Sequence, residues 1–354
     1  MPEKNMLGKC SAVIQWVSSL NGSSPRSNHS IPTCIRMGNG VELPFMGLGT
    51  GGFPSSEEDI ERSIREALNL GYTHIDTSTD GTEEIIGRVL KEYFESGKLT
   101  RQDVFITTKL PCASHHRPDV EQSLRKQLKD LQLDYVDLYL INTPCGVRVF
   151  STAKGLSTSD AAYTSLPDTW KGMEDVYNKK LARSIGISNF NVDQIQKVYS
   201  SAEIKPHNLQ VEVHLHWPQK ELVVLCQSLN VCLTAYAPIG SPAQRQSLGI
   251  RDSSPLEEPL VRKLAEKYQK TPAQILLRHL TQRNIVVIPK STNVQHLKEN
   301  LDSMKFSISD EDMIALGRIK PHRRIYTLTH RRHHPEFPFC DVPYNEKSGS
   351  PANV

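Results

Sequence analysis

The chain has 354 residues, 38% of them hydrophobic and 23% charged, which is enough apolar content for a sizeable core and argues against a disordered or collagen-like chain. A net charge of +3 gives no global attraction to nucleic acid or to an acidic membrane surface. No apolar run approaches the ~20 residues of a membrane helix, and seven cysteines without a C-x-x-C pair fit reduced thiols better than a disulfide framework or a zinc site.

In chain order, residues 1–32 come first and are rich in Ser and Asn. Lys4 and Lys9 precede a short apolar run, Ala12 to Leu20, that Gln15, Ser18 and Ser19 interrupt. No A-x-A-like cleavage site follows, so the segment reads as a flexible extension rather than a signal peptide. The tripeptides at Asn21 and Asn28 match a glycosylation acceptor, which matters only in a secreted chain. CIRMGNGVELP (34–44) reads as a hairpin turning at Gly38-Asn39-Gly40.

Short β-rich runs then alternate with amphipathic stretches. The runs are FMGLGT (45–50), THIDTS (73–78), VFITTKL (104–110), DYVDLYLI (134–141), ARSIGIS (182–188), NLQVEV (208–213), CLTAYAP (232–238) and NIVVIPK (284–290). Mostly continuous apolar runs of this kind predict parallel strands covered on both faces. After the first, Ile60, Ile64, Ala67 and Leu68 form one helical stripe, with Ser56 placed to cap it and Gly71 to end it. A long helical stretch from about Glu257 to Gln282 is expected to divide at Pro272.

Eight strand–helix units predict an α/β fold, a (β/α)8 TIM barrel spanning residues 33–340 as one domain. The hairpin would close its bottom, a C-terminal loop would cover its mouth, and residues 341–354 would form a flexible tail. An open doubly wound sheet is the alternative, but no G-x-G-x-x-G follows the first strand. From Arg318 to His334 the chain carries six Lys or Arg residues and four His, a pattern that a nucleic-acid or metal tract would share. Only Tyr326 interrupts the charges, so a solvated loop is the preferred reading.

Barrel chemistry sits at the C-terminal ends of the strands. Those ends present Asp76, Lys109, Asn142, Ser188 with Asn189, Gln210, Tyr236, and Lys290 with Ser291. A Lys and an Asp from adjacent strands can pair inside the mouth and shift the pKa of a third group.

Over about residues 34–340 the sequence resembles the aldo-keto reductases. The blocks GYTHIDTS, DYVDLYLIN, DTWKGMEDVYNKKLARSIGISNFN, TAYAPIGSP and NIVVIPKSTNVQHLKENL occur in family order. The resemblance implies a (β/α)8 barrel that uses NADPH to reduce aldehydes and ketones, as a cytoplasmic monomer. It implies a small-molecule carbonyl substrate, while charge, hydropathy and cysteine spacing argue against a nucleic-acid, membrane or metal partner. It also implies that Ser188, Asn189 and Gln210 hold the nicotinamide carboxamide and that Tyr236 stacks on the ring. Lys290 and Ser291 match the site of the adenosine 2′-phosphate, and Glu299 and Asn300 match the adenine contacts. His296 stands where the family usually has an arginine, which lowers the expected NADPH affinity and preference over NADH.

The catalytic residues match less well. The family uses Asp, Tyr, Lys and His, and Asp76 and Lys109 match two of them. The tyrosine position holds Asp80, with one residue deleted, and no tyrosine lies between Thr73 and Glu92. Asn142 occupies the histidine position, as in the potassium-channel β-subunit branch, which keeps its tyrosine. A general acid is worth ~10²–10⁴ in rate, and an ionised carboxylate cannot supply the proton. Gly51, Pro111 and Thr143 replace tryptophans that often wall the substrate pocket, so a wider and more polar mouth is expected. HPEFPF (334–339) resembles the family's closing loop.

Two readings follow. One is an NADP(H)-dependent reductase with altered chemistry, in which Lys109 donates the proton directly or Asn142 and a water polarise the carbonyl. The other is a pseudoenzyme, a silent NADP(H)-binding barrel serving as a cofactor sensor or partner-binding protein.

Overall fold

The computed structural model describes residues 31–51, 56–78, 81–152, 155–159, 164–320 and 323–339. The expectations for residues 1–30, Asp80 and the tail 341–354 lie outside the described residues.

β1 (Cys34–Arg36) and β2 (Glu42–Pro44) pair antiparallel with Cys34 opposite Pro44, as the glycine-rich turn predicts. Gly40 at φ 85° supplies the left-handed residue of that turn. The barrel strands are β3 (Gly47–Gly49), β4 (His74–Asp76), β5 (Phe105–Leu110) and β6 (Leu138–Ile141), then β9 (Ile185–Ser188), β10 (Asn208–Glu212), β11 (Cys232–Tyr236) and β12 (Ile285–Val287). They are hydrogen-bonded in that order as one parallel sheet. A parallel bridge from Met46 to Val287 and the bond from Val287 N to Phe45 O (2.9 Å) join its two edges. All eight predicted strands are present.

Helices fill the crossovers. α1 (Glu57–Leu70) starts at Ser56, whose hydroxyl accepts from Asp59 N, and stops at Gly71 in the left-handed conformation. α2 (Glu83–Glu95) follows β4, α3 (Arg117–Leu131) follows β5 and α4 (Leu166–Asn178) precedes β9. α5 (Val192–Ser201), α6 (Lys220–Ser228) and α7 (Pro242–Ser247) follow β9, β10 and β11. The long stretch divides as expected into α8 (Pro259–Tyr268) and α9 (Pro272–Thr281), with Pro272 opening the second helix behind the capping residue Thr271. α10 (Val294–Asp302) and α11 (Asp310–Gly317) complete the series.

Strand alternation sorts the side chains into two cores. Ile75, Ile106, Tyr139, Ile141, Ile187, Val211 and Val287 face the helices in the larger cluster. Phe105, Leu138, Leu140 and Val286 face inward, where they meet Phe45 and the hairpin's Met37 and Leu43. The hairpin thus plugs the base of the barrel. Above this plug the interior turns polar, with His74 Nε2 beside Thr107 Oγ1 (3.1 Å) and Asn208 Nδ2 donating to Thr234 Oγ1 (2.9 Å). Gly47 is required here because a Cβ would meet His74 Nδ1 at 2.5 Å.

Two features depart from the sequence reading. A second hairpin, β7 (Arg148–Thr152) with β8 (Gly155–Ser159), interrupts the chain between β6 and α4. The basic stretch is not the solvated loop expected of it, because the segment 323–339 is packed. Ile325, His334 and Phe339 are buried in it, and the Arg324 guanidinium lies over the rings of Phe339 and Trp217. Among the described residues no helix is long and apolar enough to cross a membrane.

Candidate active site

The centre of the mouth is an ion pair. Asp76 ends β4 and Lys109 lies one residue before the end of β5; both face inward and are buried, and Lys109 Nζ donates to Asp76 Oδ1 (2.5 Å) and to Thr77 O (2.8 Å). Gln210 Nε2 donates to the other carboxylate oxygen at 2.7 Å. Asp76 therefore links a side chain expected to hold cofactor with one expected to handle a proton. Two charges this deeply buried are tolerated only because each is paired and hydrogen-bonded. Below them, burial pushes the His74 imidazole down to about 4, so it is neutral at pH 7 and adds no charge under the pair.

A hydroxyl chain that sequence reasoning missed braces the same region. Thr77 Oγ1 lies 2.6 Å from Thr82 Oγ1, and Thr50 Oγ1 donates to Asp76 O at 3.1 Å. Glu83 is buried at the start of α2 and accepts from Thr108 Oγ1 at 3.2 Å. Among the described residues no tyrosine hydroxyl bonds to the Lys109 ammonium.

Asn142 follows β6 and is half-buried; its carbonyl accepts from Asn189 Nδ2 at 2.9 Å. Asn189 sits in the left-handed conformation just past β9 (φ 62°), a turn that asparagine tolerates. Its other amide atom accepts from Tyr236 OH at 2.8 Å. One amide thus ties together the ends of β6, β9 and β11. Ser188 is buried beside Gln210, its register partner on β10.

The remaining predicted residues gather where β12 runs into α10. Lys290 and Ser291 lie between the two, and Ser291 Oγ accepts from Asn293 N. Asn293 caps α10 by accepting from His296 N, so the positive end of that helix lies at this corner. His296 is exposed, Glu299 is half-buried and Asn300 is buried on the same helix. The structure brings the described strand-end candidates to the C-terminal face, whereas Glu299 and Asn300 lie in the last turn of α10, which runs back from it.

Of the three positions expected to lack tryptophan walls, Thr143 is buried and Pro111 borders a cavity of about 650 Å³ beside α3. Glu212 was also missed. It lies two residues beyond Gln210 on the same face of β10, a spacing that period-two alternation could have flagged.

A parallel eight-stranded barrel with a buried Lys–Asp pair and a polar rim at the C-terminal face defines a TIM-barrel enzyme scaffold. Comparison with known proteins then specifies it. Residues 45–320 match the Aldo/keto reductase family, and the chain belongs to that family. Aldo-keto reductase family 1 member A1 of Gallus gallus is 39% identical over 327 residues, which cover 88% of this chain and 98% of that protein. The crystal structure of Bombyx mori aldo-keto reductase AKR2E4, in complex with NADP, superposes with a TM-score of 0.79 at 35% identity and covers 88% of this chain and 99% of its own. The aldose reductase of Schistosoma japonicum gives a TM-score of 0.78 at 36% identity, covering 87% and 99%. Family membership makes the chain an oxidoreductase of the carbonyl-reducing type.

Proposed function

We propose that this protein binds NADP(H) and reduces aldehydes or ketones, with the Lys109 ammonium taking the place of the phenol as proton donor. The residues fit the dinucleotide. Ser188 and Gln210 offer a hydroxyl and an amide at adjacent strand ends, and Tyr236 offers an aromatic ring held by its own hydroxyl bond. Lys290, Ser291 and the N-terminus of α10 form a corner of cation, hydroxyl and helix dipole suited to a phosphate. When bound, the cofactor supplies the hydride.

The protein's part is to orient and to protonate. Lys109 spends two of its three N–H bonds on Asp76 and Thr77 O, which leaves one for a substrate oxygen. Asp76 fixes the direction of the ammonium, and Gln210 fixes Asp76. Without a tyrosine the proton transfer is less well matched, and a rate ~10²–10⁴ lower than with a fully matched general acid is expected. The loss of bulky walls at Gly51, Pro111 and Thr143 favours a polar or broad carbonyl substrate. The protein acts as a cytoplasmic monomer.

The observation that carries this reading is the buried Lys109–Asp76–Gln210 chain, which joins the proton-handling and cofactor-binding residues. A second reading, a silent NADP(H)-binding barrel, draws on the absence of any phenol beside Lys109 among the described residues. One experiment separates them. The protein is titrated with NADPH by fluorescence, and an activated aldehyde is then added while nicotinamide absorbance is followed. Turnover that is lost in Lys109→Met supports the reductase. Binding without oxidation favours the silent barrel, and failure to bind NADPH removes both.

A further inference from the structure

The packed C-terminal segment 323–339 meets the candidate cofactor residues at one side chain, Tyr326. Its backbone is fixed from below: the Glu212 carboxylate, fully buried at the end of β10, accepts from Ile325 N (2.7 Å) and Tyr326 N (2.9 Å). His214 Nε2 lies 3.0 Å from the same carboxylate. From that anchor the Tyr326 ring stands edge-on to Tyr236, with centroids 5.4 Å apart and planes at 87°. Its hydroxyl lies 2.8 Å from Ser241 Oγ in the loop that follows β11. At the far end, His334 Nε2 lies 2.7 Å from Gly146 O, while Glu336 O accepts from Gln194 Nε2 and Glu336 Oε1 receives Lys197 Nζ. The segment is a strap with two firm anchors, one at the end of β10 and the other beside β6 and α5.

The Tyr326–Ser241 contact differs in kind from those anchors. It joins two neutral hydroxyls and is only partly buried, whereas the anchors are a carboxylate under two amides and buried side chains. A neutral, partly wet hydrogen bond is the weaker of the two. Tyr326 is also the strap residue in contact with Tyr236, the ring assigned to the nicotinamide.

We infer that Tyr326 is the releasable cover of the NADP(H) site: it latches onto Ser241, and Glu212 is the positioning residue that holds it there. Dinucleotide enters and leaves when the Tyr326–Ser241 bond opens. This inference rests on the NADP(H)-binding reading above, and its failure is distinguishable from the failure of that reading.

The test is stopped-flow fluorescence of NADPH binding to the full-length protein, with no substrate present. A cover slows entry and exit alike, so Tyr326→Phe is expected to raise the association and dissociation rates together by about 5-fold, with Kd changed by less than about 2-fold. Glu212→Gln keeps the side-chain shape but turns an N–H donor towards at least one backbone amide, and it is expected to accelerate both rates further. A Tyr326→Phe variant whose dissociation rate rises alone, with Kd rising in parallel, makes Tyr326 an ordinary contact and overturns the inference. Unchanged rates in Tyr326→Phe overturn it as well, even if Glu212→Gln proves too unstable to measure. A wild-type protein that does not bind NADPH refutes the underlying assignment instead.

Discussion

The two halves of the mouth are built on different terms. On one side, β9 to β12 and α10 offer many modest polar groups spread over several elements, from Ser188 to Asn300. On the other, β4 and β5 concentrate the chemistry in one buried ion pair, Asp76 with Lys109, that leans on Gln210 across the barrel. A distributed site can vary at one member, such as His296, and keep its ligand. On the function proposed above, a concentrated site without a phenol must change its mechanism, because among the described residues no tyrosine hydroxyl bonds to Lys109. Binding and turnover therefore need not diverge together in this family member.

The largest expected effect belongs to neither half alone. Burial depresses the imidazoles of His74, His115 and His207 to about 4 and that of His279 to about 3. In the unfolded chain each titrates near ~6.5, so below that pH the unfolded state binds more protons than the folded one. Their contribution to stability is complete above pH ~6.5 and is lost as the pH falls towards 4. Urea melts at pH 7, 5.5 and 4.5 should show one steeply falling midpoint. A flat profile would mean that these imidazoles are not buried as described.

Next is the ion pair itself. Lys109→Met strands a buried carboxylate and should cost about 3–5 kcal/mol in denaturant unfolding, while the double variant Asp76→Asn/Lys109→Met should recover much of that loss. If the double variant is as unstable as the single one, the pair is not the coupled unit that sets this side apart. Gln210→Leu is expected to act on both sides at once. It removes a charge-assisted hydrogen bond from Asp76, worth about 1.5–3 kcal/mol, and should weaken NADPH binding about 10-fold by fluorescence titration. An effect confined to stability would sever the link between the halves. The smallest change is at the rim, where His296→Arg should raise the preference for NADPH over NADH by about 5-fold, as read from the ratio of dissociation constants.

Much of this was legible in the sequence. Each barrel strand announced itself by an apolar run, Pro272 divided its helix, and Gly38-Asn39-Gly40 turned its hairpin. The strand-end rule then delivered Asp76, Lys109 and Gln210 together, because a parallel barrel gathers strand ends whatever their distance in sequence. The hairpin β7–β8 was not legible, since its short Ser- and Thr-rich strands pair only with each other and leave no barrel-like signature. Glu212 and Tyr326 escaped for the opposite reason. Their contact spans 114 positions, and nothing local marks a basic stretch as packed rather than solvated. Charge counted along the chain misjudged a segment whose arginine stacks on aromatic rings.

The stopper formed by Met37, Leu43 and Phe45 at the barrel's base has a kinetic consequence. With that end sealed, dinucleotide and carbonyl compound both approach from the C-terminal face and must queue. Whichever binds deeper arrives first and departs last, so steady-state inhibition patterns should show a compulsory sequence.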